Sequence, residues 1–223
     1  MADVPDKSDL PQGFPLGAWQ TNAYLLTTPQ GLIVVDPGFE PEPLLARIRV
    51  LDRPVVAILL THAHLDHIAG IRAVRAEAAD ATLFLHQAEQ LFPGDPMLNL
   101  SAYLDQPLVA PEADTLLRGD AGTLEVGGTR LKWLHTPGHS PGGVTFYPDA
   151  PEPGWAIVGD TLFAGSVGRT DFPTSDAQAL DASIRTLIEV LPGACAILPG
   201  HGPATVLDVE RATNPFLRSA GGP

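Results

Sequence analysis

The chain has 223 residues, 44% of them hydrophobic and 17% charged, which is enough apolar mass for a sizeable buried core. Thirteen basic against 26 acidic residues leave a net charge of −13. Such a surface repels nucleic-acid phosphates and anionic lipid, so neither nucleic acid nor a membrane is expected as a partner. A single cysteine, Cys195, leaves no intramolecular disulfide, no apolar run nears the roughly 20 residues that span a bilayer, and Met1–Leu10 lacks the basic and apolar regions of a signal peptide. A soluble cytoplasmic protein is the resulting expectation.

Residues 1–18 carry no period and read as an irregular N-terminal segment of one domain covering 1–223. Thr21–Thr27 and Leu32–Asp36 then read as strands around a Pro29-Gln30-Gly31 turn. Leu44, Leu45 and Ile48 give Glu42–Leu51 helical spacing. Val55–Leu60 is an apolar run of the buried-strand type, and His67–Ala79 has the pattern of one amphipathic helix. Thr82–Leu85 is a short strand and Gln87–Leu91 a helical turn. Phe92–Pro111, with four prolines, is a long loop of the kind that walls active sites. Strands follow at Thr123–Val126 and Thr129–Leu134 around Gly127-Gly128, then at Gly143–Tyr147 and Trp155–Val158. Asp176–Val190 is a helix capped by Asp176 or Ser175, and Ala194–Leu198 the last strand. Two strand-rich halves that each carry helices predict a four-layer α/β/β/α sandwich.

The chemistry concentrates in T-H-A-H-L-D-H, Thr61–His67, at the end of a buried strand. It sets His62, His64, Asp66 and His67 within six residues, and for this composition H-x-H-x-D-H arises by chance about 5 × 10⁻⁴ times per chain. His62 and His64, two apart in an extended loop, project to one side and can share a metal, while Asp66 and His67 turn into the next helix and can face a second. Imidazole and carboxylate without cysteine suit zinc, iron or manganese. His139 in T-P-G-H-S-P-G-G, Asp160 in V-G-D-T and His201 in L-P-G-H-G each follow a predicted strand, with glycine at the turn.

Together these segments resemble the metallo-β-lactamase superfamily from about Thr21 to His201. The resemblance implies two divalent ions, zinc first and iron or manganese otherwise. One would be held by His62, His64 and His139, the other by Asp66, His67 and His201, with Asp160 bridging. Gly159–Pro173 (G-D-T-L-F-A-G-S-V-G-R-T-D-F-P) and Thr213–Leu217 (T-N-P-F-L) look like the glyoxalase II-like branch, the hydroxyacylglutathione hydrolases and their short relatives without a C-terminal helical domain. That implies a thioester hydrolase acting on an S-acyl, hydroxyacyl-type small-molecule thiol through a metal-bridging hydroxide, with Asp66 and Asp160 as the catalytic carboxylates. Asp at 160, where true β-lactamases usually carry Cys, argues against antibiotic hydrolysis. The competing enzyme of the same superfamily is a mononuclear-iron persulfide dioxygenase, which shares a G-R-T-D-F run. A non-catalytic metal-binding module is a third reading.

Other residues have two readings each. Asp36 orients a ligand histidine or only forms an Asp-Pro-Gly turn. His86 and His135 read as structural histidines at strand ends, and Cys195 as inert core. Arg169 pairs with Asp171 or grips a substrate carboxylate, and Tyr103 and Phe92 of the long loop cover the substrate or merely pack. The oligomeric state is left open by the sequence.

Overall fold

The structure is a computed structural model describing residues 10–219. Its first sheet is built from β1 (Gln12–Leu16), β2 (Thr21–Thr28), β3 (Gly31–Val35), β4 (Val55–Leu59), β5 (Thr82–His86) and β6 (Thr115–Leu117), neighbours in that order. The β1–β2–β3 pairings are antiparallel and the rest parallel. Helices α1 (Glu42–Leu51), α2 (Leu65–Ile68) and α3 (Ile71–Glu77) fill the connections between β3, β4 and β5. The second half begins with β7 (Ala121–Val126), β8 (Thr129–His135), β9 (Val144–Pro148) and β10 (Trp155–Gly159). The hairpin β11 (Leu162–Phe163) and β12 (Ser166–Val167) follows, then α4 (Ala177–Val190), β13 (Ala196–Pro199), β14 (Thr205–Val206), α5 (Leu207–Thr213) and α6 (Pro215–Ser219). The second sheet runs β14-β13-β10-β9-β8-β7.

Period-two patterning explains the layers. In β3, Leu32 and Val34 face out toward Leu44 and Ile48 of α1 and Ile71 and Val74 of α3. Ile33 and Val35 face in, toward Leu131, Trp133, Phe146 and Ile157 of the second sheet. The far face of that sheet presents Val158 and Ile197 to Leu187 of α4 and Leu207 of α5. Three separate apolar interfaces thus divide four layers, as the strand and helix patterns predict. Among the described residues, no helix is long and apolar enough to cross a membrane.

Two expectations need correction. The irregular segment 1–18 contains a strand: β1 pairs with β2 from Gln12↔Leu25 to Leu16↔Thr21, burying Phe14 and Leu16. Its alternation is only one residue pair long and includes Pro15, which an edge strand tolerates; residues 1–9 lie outside the described ones. The helix expected over His67–Ala79 is two, α2 and α3, parted near Gly70, whose N–H donates to the Pro37 carbonyl at 2.7 Å. A Cβ on Gly70 would meet the Gly38 carbonyl oxygen, so the backbones touch only because glycine stands there. Finally, β6, the β11–β12 hairpin, β14, α5 and α6 are too short to show a period in the sequence.

Gly127 and Gly128 turn the β7–β8 hairpin with φ of 63° and 75°, the left-handed conformation such a two-residue turn requires. Asp176, not Ser175, caps α4, accepting from the N–H groups of Gln178 at 2.8 Å and Ala179 at 3.0 Å. Its own N–H donates to the Gly138 carbonyl at 2.7 Å, while the Ser175 hydroxyl donates to the His139 carbonyl at 2.6 Å. The start of α4 is therefore tied to the His139 loop. Asp176→Ala is expected to lower unfolding free energy by about 1 kcal/mol, read from urea denaturation; an unchanged midpoint would contradict the cap.

Candidate metal centre

Five chain segments converge where strands of both sheets end. Asp36 follows β3, Thr61–His67 follow β4, His139 lies between β8 and β9, Asp160 follows β10, and His201 follows β13. Most polar groups at these ends are buried: His67 is fully enclosed and His62, His64 and His139 nearly so, while Asp66 and His201 are partly exposed. Loops carry the ligand-type residues, and the sheets fix where the loops start.

Four of the five imidazoles are gripped on one nitrogen from outside. Nδ1 of His67 lies 2.9 Å from Asp36 Oδ2, that of His139 2.9 Å from the Arg169 carbonyl, that of His201 3.1 Å from the Trp19 carbonyl, and that of His62 3.2 Å from Thr61 Oγ1. Each grip aims the other nitrogen inward, the arrangement that orients histidines at metal sites. His64 differs: its Nδ1 faces His139 Nε2 at 3.0 Å. Because His139 donates outward to a carbonyl, its neutral ring presents a lone pair at Nε2, which needs a proton from His64 or a cation shared with it.

The inward atoms form three overlapping groups within 4.8 Å: His62/His64/His139, His62/His67/Asp160 and Asp66/His67/His201. Asp160 stands between, with Oδ2 3.4 Å from His139 Nε2 and 3.5 Å from His201 Nε2, and Oδ1 3.6 Å from His67 Nε2. Asp66 Oδ2 is 3.1 Å from His201 Nε2 and 3.6 Å from His67 Nε2. Ligand atoms about 2.0–2.1 Å from a tetrahedral ion lie about 3.3 Å from each other, which matches these spacings. The Nε2 atoms of His62, His64 and His67 and Oδ1 of Asp160 are buried without a hydrogen-bond partner, a costly state unless a cation satisfies them. The residues therefore fit divalent metal, and the imidazole and carboxylate donor set suits zinc, iron or manganese.

Charge follows the same division. Burial, helped by the neighbouring histidines, drives His62 and His64 well below the usual histidine value, and burial lowers His139; all three offer lone pairs near neutrality. Burial also opposes charge on His67, but Asp66, Asp36 and Asp160 together outweigh it and push the group up to about 10. Asp66 is held far below the usual carboxylate range: burial alone would raise it, and His67, His201 and the Thr21 hydroxyl, 2.7 Å from Oδ2, prevail.

The structure thus brings together all seven histidine and aspartate residues picked out in the sequence and settles several others. Asp36 is more than a turn residue: Oδ1 accepts from the Thr61 N–H at 2.7 Å and Oδ2 from the Thr61 hydroxyl at 2.5 Å, besides its contact with His67. Its φ of 49° is a left-handed strain held at the site. Tyr103, read as covering the substrate or merely packing, is 89% exposed and is not among the cleft-lining residues; Leu100 of the same loop is. Phe92 packs in the outer core of the first sheet. Arg169 lies at the cleft, its Nε and Nη2 donating to the two Asp171 carboxylate oxygens at 2.6 Å and the guanidinium carbon 4.4 Å from the Phe172 ring centre. His86 and His135 stack with centroids 3.9 Å apart, bonded to the Gly119 and Pro141 carbonyls, outside the centre. Cys195 is buried in the core. Missed in the sequence were Trp19, which acts through its carbonyl, and Thr21, whose hydroxyl belongs to an ordinary strand pattern; neither leaves a sequence signal. The cleft beside the centre holds about 480 Å³ and is walled by Trp19, Leu65, Leu100, Phe163 and Phe172.

The Metallo-beta-lactamase superfamily profile matches residues 16–201. "Probable metallo-hydrolase YqgX" of Bacillus subtilis is 40% identical over 91% of this chain and 95% of its own length. "Hydroxyacylglutathione hydrolase GloC" of Haemophilus influenzae is 36% identical over 92% and 96%. Among solved structures, BLEG-1, described as a B3 metallo-β-lactamase, superposes with a TM-score of 0.86 at 38% identity, covering 93% of this chain and 99% of that one. TTHA1623 in a di-iron-bound form gives 0.76 at 39%, covering 92% and 100%. The chain belongs to the metallo-β-lactamase superfamily and is a metallo-hydrolase of that fold.

Proposed function

We propose that this chain is a binuclear metal-dependent thioesterase of the hydroxyacylglutathione hydrolase kind, acting on a small-molecule S-acyl thiol. The observation that carries the reading is the placement of Asp160 between two complete ligand groups, His62/His64/His139 and Asp66/His67/His201. In this reading each group would hold one ion, with Asp160 within reach of both. Bound ions of this kind supply a Lewis acid for the carbonyl oxygen and a nucleophile from water at neutral pH. Zinc is the first expectation; the di-iron form of TTHA1623 keeps iron open.

The chain's own residues do the rest. Asp36 and the Trp19 and Arg169 carbonyls hold imidazoles in place. Asp66 and Asp160, which keep little exposed surface, offset cationic charge. Trp19, Phe163 and Phe172 offer apolar walls to the acyl or thiol part. Arg169, the cation among the cleft-lining residues, is engaged by Asp171, so a substrate carboxylate must compete for it. The GloC relationship supports the thioester. The similarity to BLEG-1 makes a β-lactam the competing acyl compound.

Purified protein is expected to carry about two equivalents of divalent metal and to hydrolyse S-D-lactoylglutathione, with turnover lost on chelation and restored on adding metal back. Faster cleavage of a chromogenic β-lactam than of any thioester would replace the substrate assignment. A single iron with no hydrolysis, together with oxygen uptake on glutathione persulfide, would replace the reaction.

Asp36→Ala, which frees His67 and Thr61 without removing a metal-facing atom, should cost about 10–100-fold in metal affinity or turnover. Equilibrium dialysis and steady-state kinetics check it, and wild-type values in both would show that Asp36 only shapes the turn.

A further inference from the structure

Across the interface between the two sheets lies a buried acid that the ligand set does not include. Glu89 ends the short 3-10 turn Gln87–Glu89 after β5 and has no exposed surface. No lysine or arginine offsets it among the described residues. Instead Oε2 accepts from the Ala63 N–H at 2.6 Å and Oε1 from the Gly142 N–H at 2.8 Å. Burial pushes this carboxyl upward against the pull of Ser140, of its two N–H donors and of the nearby His67. A fully buried carboxyl with no lysine or arginine against it is retained at a cost, so its geometry calls for a reason.

The two donors supply it. Ala63 stands between His62 and His64, and Gly142 lies three residues beyond His139. One side chain therefore ties together the two loops that bring the three imidazoles of one ligand group, and neither donor belongs to Asp66, His67 or His201. The fit is close: a Cβ on Gly142 would come within 2.8 Å of Glu89 Cγ and 2.9 Å of its Cδ. The same turn is clipped to the same loop a second time. His86, which caps the turn, stacks on His135, and His135 Nε2 lies 2.9 Å from the Pro141 carbonyl.

We infer that Glu89 is the positioning residue of the His62/His64/His139 half of the centre, setting the distance between the two loops and hence the metal affinity of that half alone. It touches no metal-facing atom and acts through the backbone of Ala63 and Gly142. This rests on the binuclear reading, and the experiment separates the two.

Wild type, Glu89→Gln, Gly142→Ala, His139→Ala and His201→Ala are titrated with Co²⁺, following visible absorption and bound metal by dialysis, with thermal unfolding recorded alongside. Glutamine keeps one acceptor but sets its NH₂ against the other N–H; Gly142→Ala presses on the intact carboxylate from the opposite loop and covers the case in which Glu89→Gln does not fold. In both, one equivalent should weaken about 10-fold or more while the other keeps its wild-type affinity and spectrum. The weakened equivalent should be the one that His139→Ala removes, and the retained one that which His201→Ala removes. Equal weakening of both equivalents, or wild-type titration, would overturn the positioning role. A wild type that binds fewer than two equivalents would remove the binuclear reading and this inference with it.

Discussion

Everything in this protein turns on a crowd of inward-facing lone pairs and carboxylates at the junction of two sheets. Five imidazoles and two aspartates aim at one small volume, and four of the inward atoms are buried with nothing to bond. In a medium of low polarity this is unfavourable without cations. The surroundings keep the arrangement from collapsing. Each imidazole except His64 is held from behind by a carbonyl, a hydroxyl or a carboxylate, so it cannot turn away to find another partner.

The fold makes that restraint possible. Strands of both sheets end along one edge, and the inner core, with Ile33, Val35, Trp133, Phe146 and Ile157, holds the sheets face to face. Loops leaving those ends then differ in what they tie. Asp36 binds the end of β4 to His67, Asn22 and Tyr24 of β2 donate to the Pro199 carbonyl at 3.0 and 2.7 Å, and Glu89 joins the His62–His64 loop to the His139 loop. Contacts between segments far apart in the sequence, rather than local structure, set the site's dimensions.

The sequence revealed the layers and the ligands for different reasons. Strands such as Leu32–Val35 and Val55–Leu59 are continuous apolar runs because both faces are covered, and α4 shows its period over 14 residues. His62 to His67 stood out because histidine is scarce and four ligand-type residues fall within six positions. What stayed hidden is carried by backbone or by long-range pairing: the Trp19 and Arg169 carbonyls, the Pro37–Gly70 contact that divides α2 from α3, and β6, which exists because β5 is there to pair with it. Glu89 was hidden for another reason. An acid in Q-A-E after a strand looks solvated, and only the fold shows both its oxygens enclosed. Tyr103 misled in the opposite direction, because a loop can border a cleft while one of its aromatics points to solvent.

In the proposed function Asp160 stands between two cations. Anomalous diffraction from crystals of the metal-loaded protein, recorded at the absorption edge of the bound metal, tests it most directly. Two peaks about 3.5–4 Å apart are expected, one bounded by His62, His64 and His139, the other by Asp66, His67 and His201, with Asp160 reaching both. A single peak at full metal loading, or two peaks that Asp160 does not join, would contradict it.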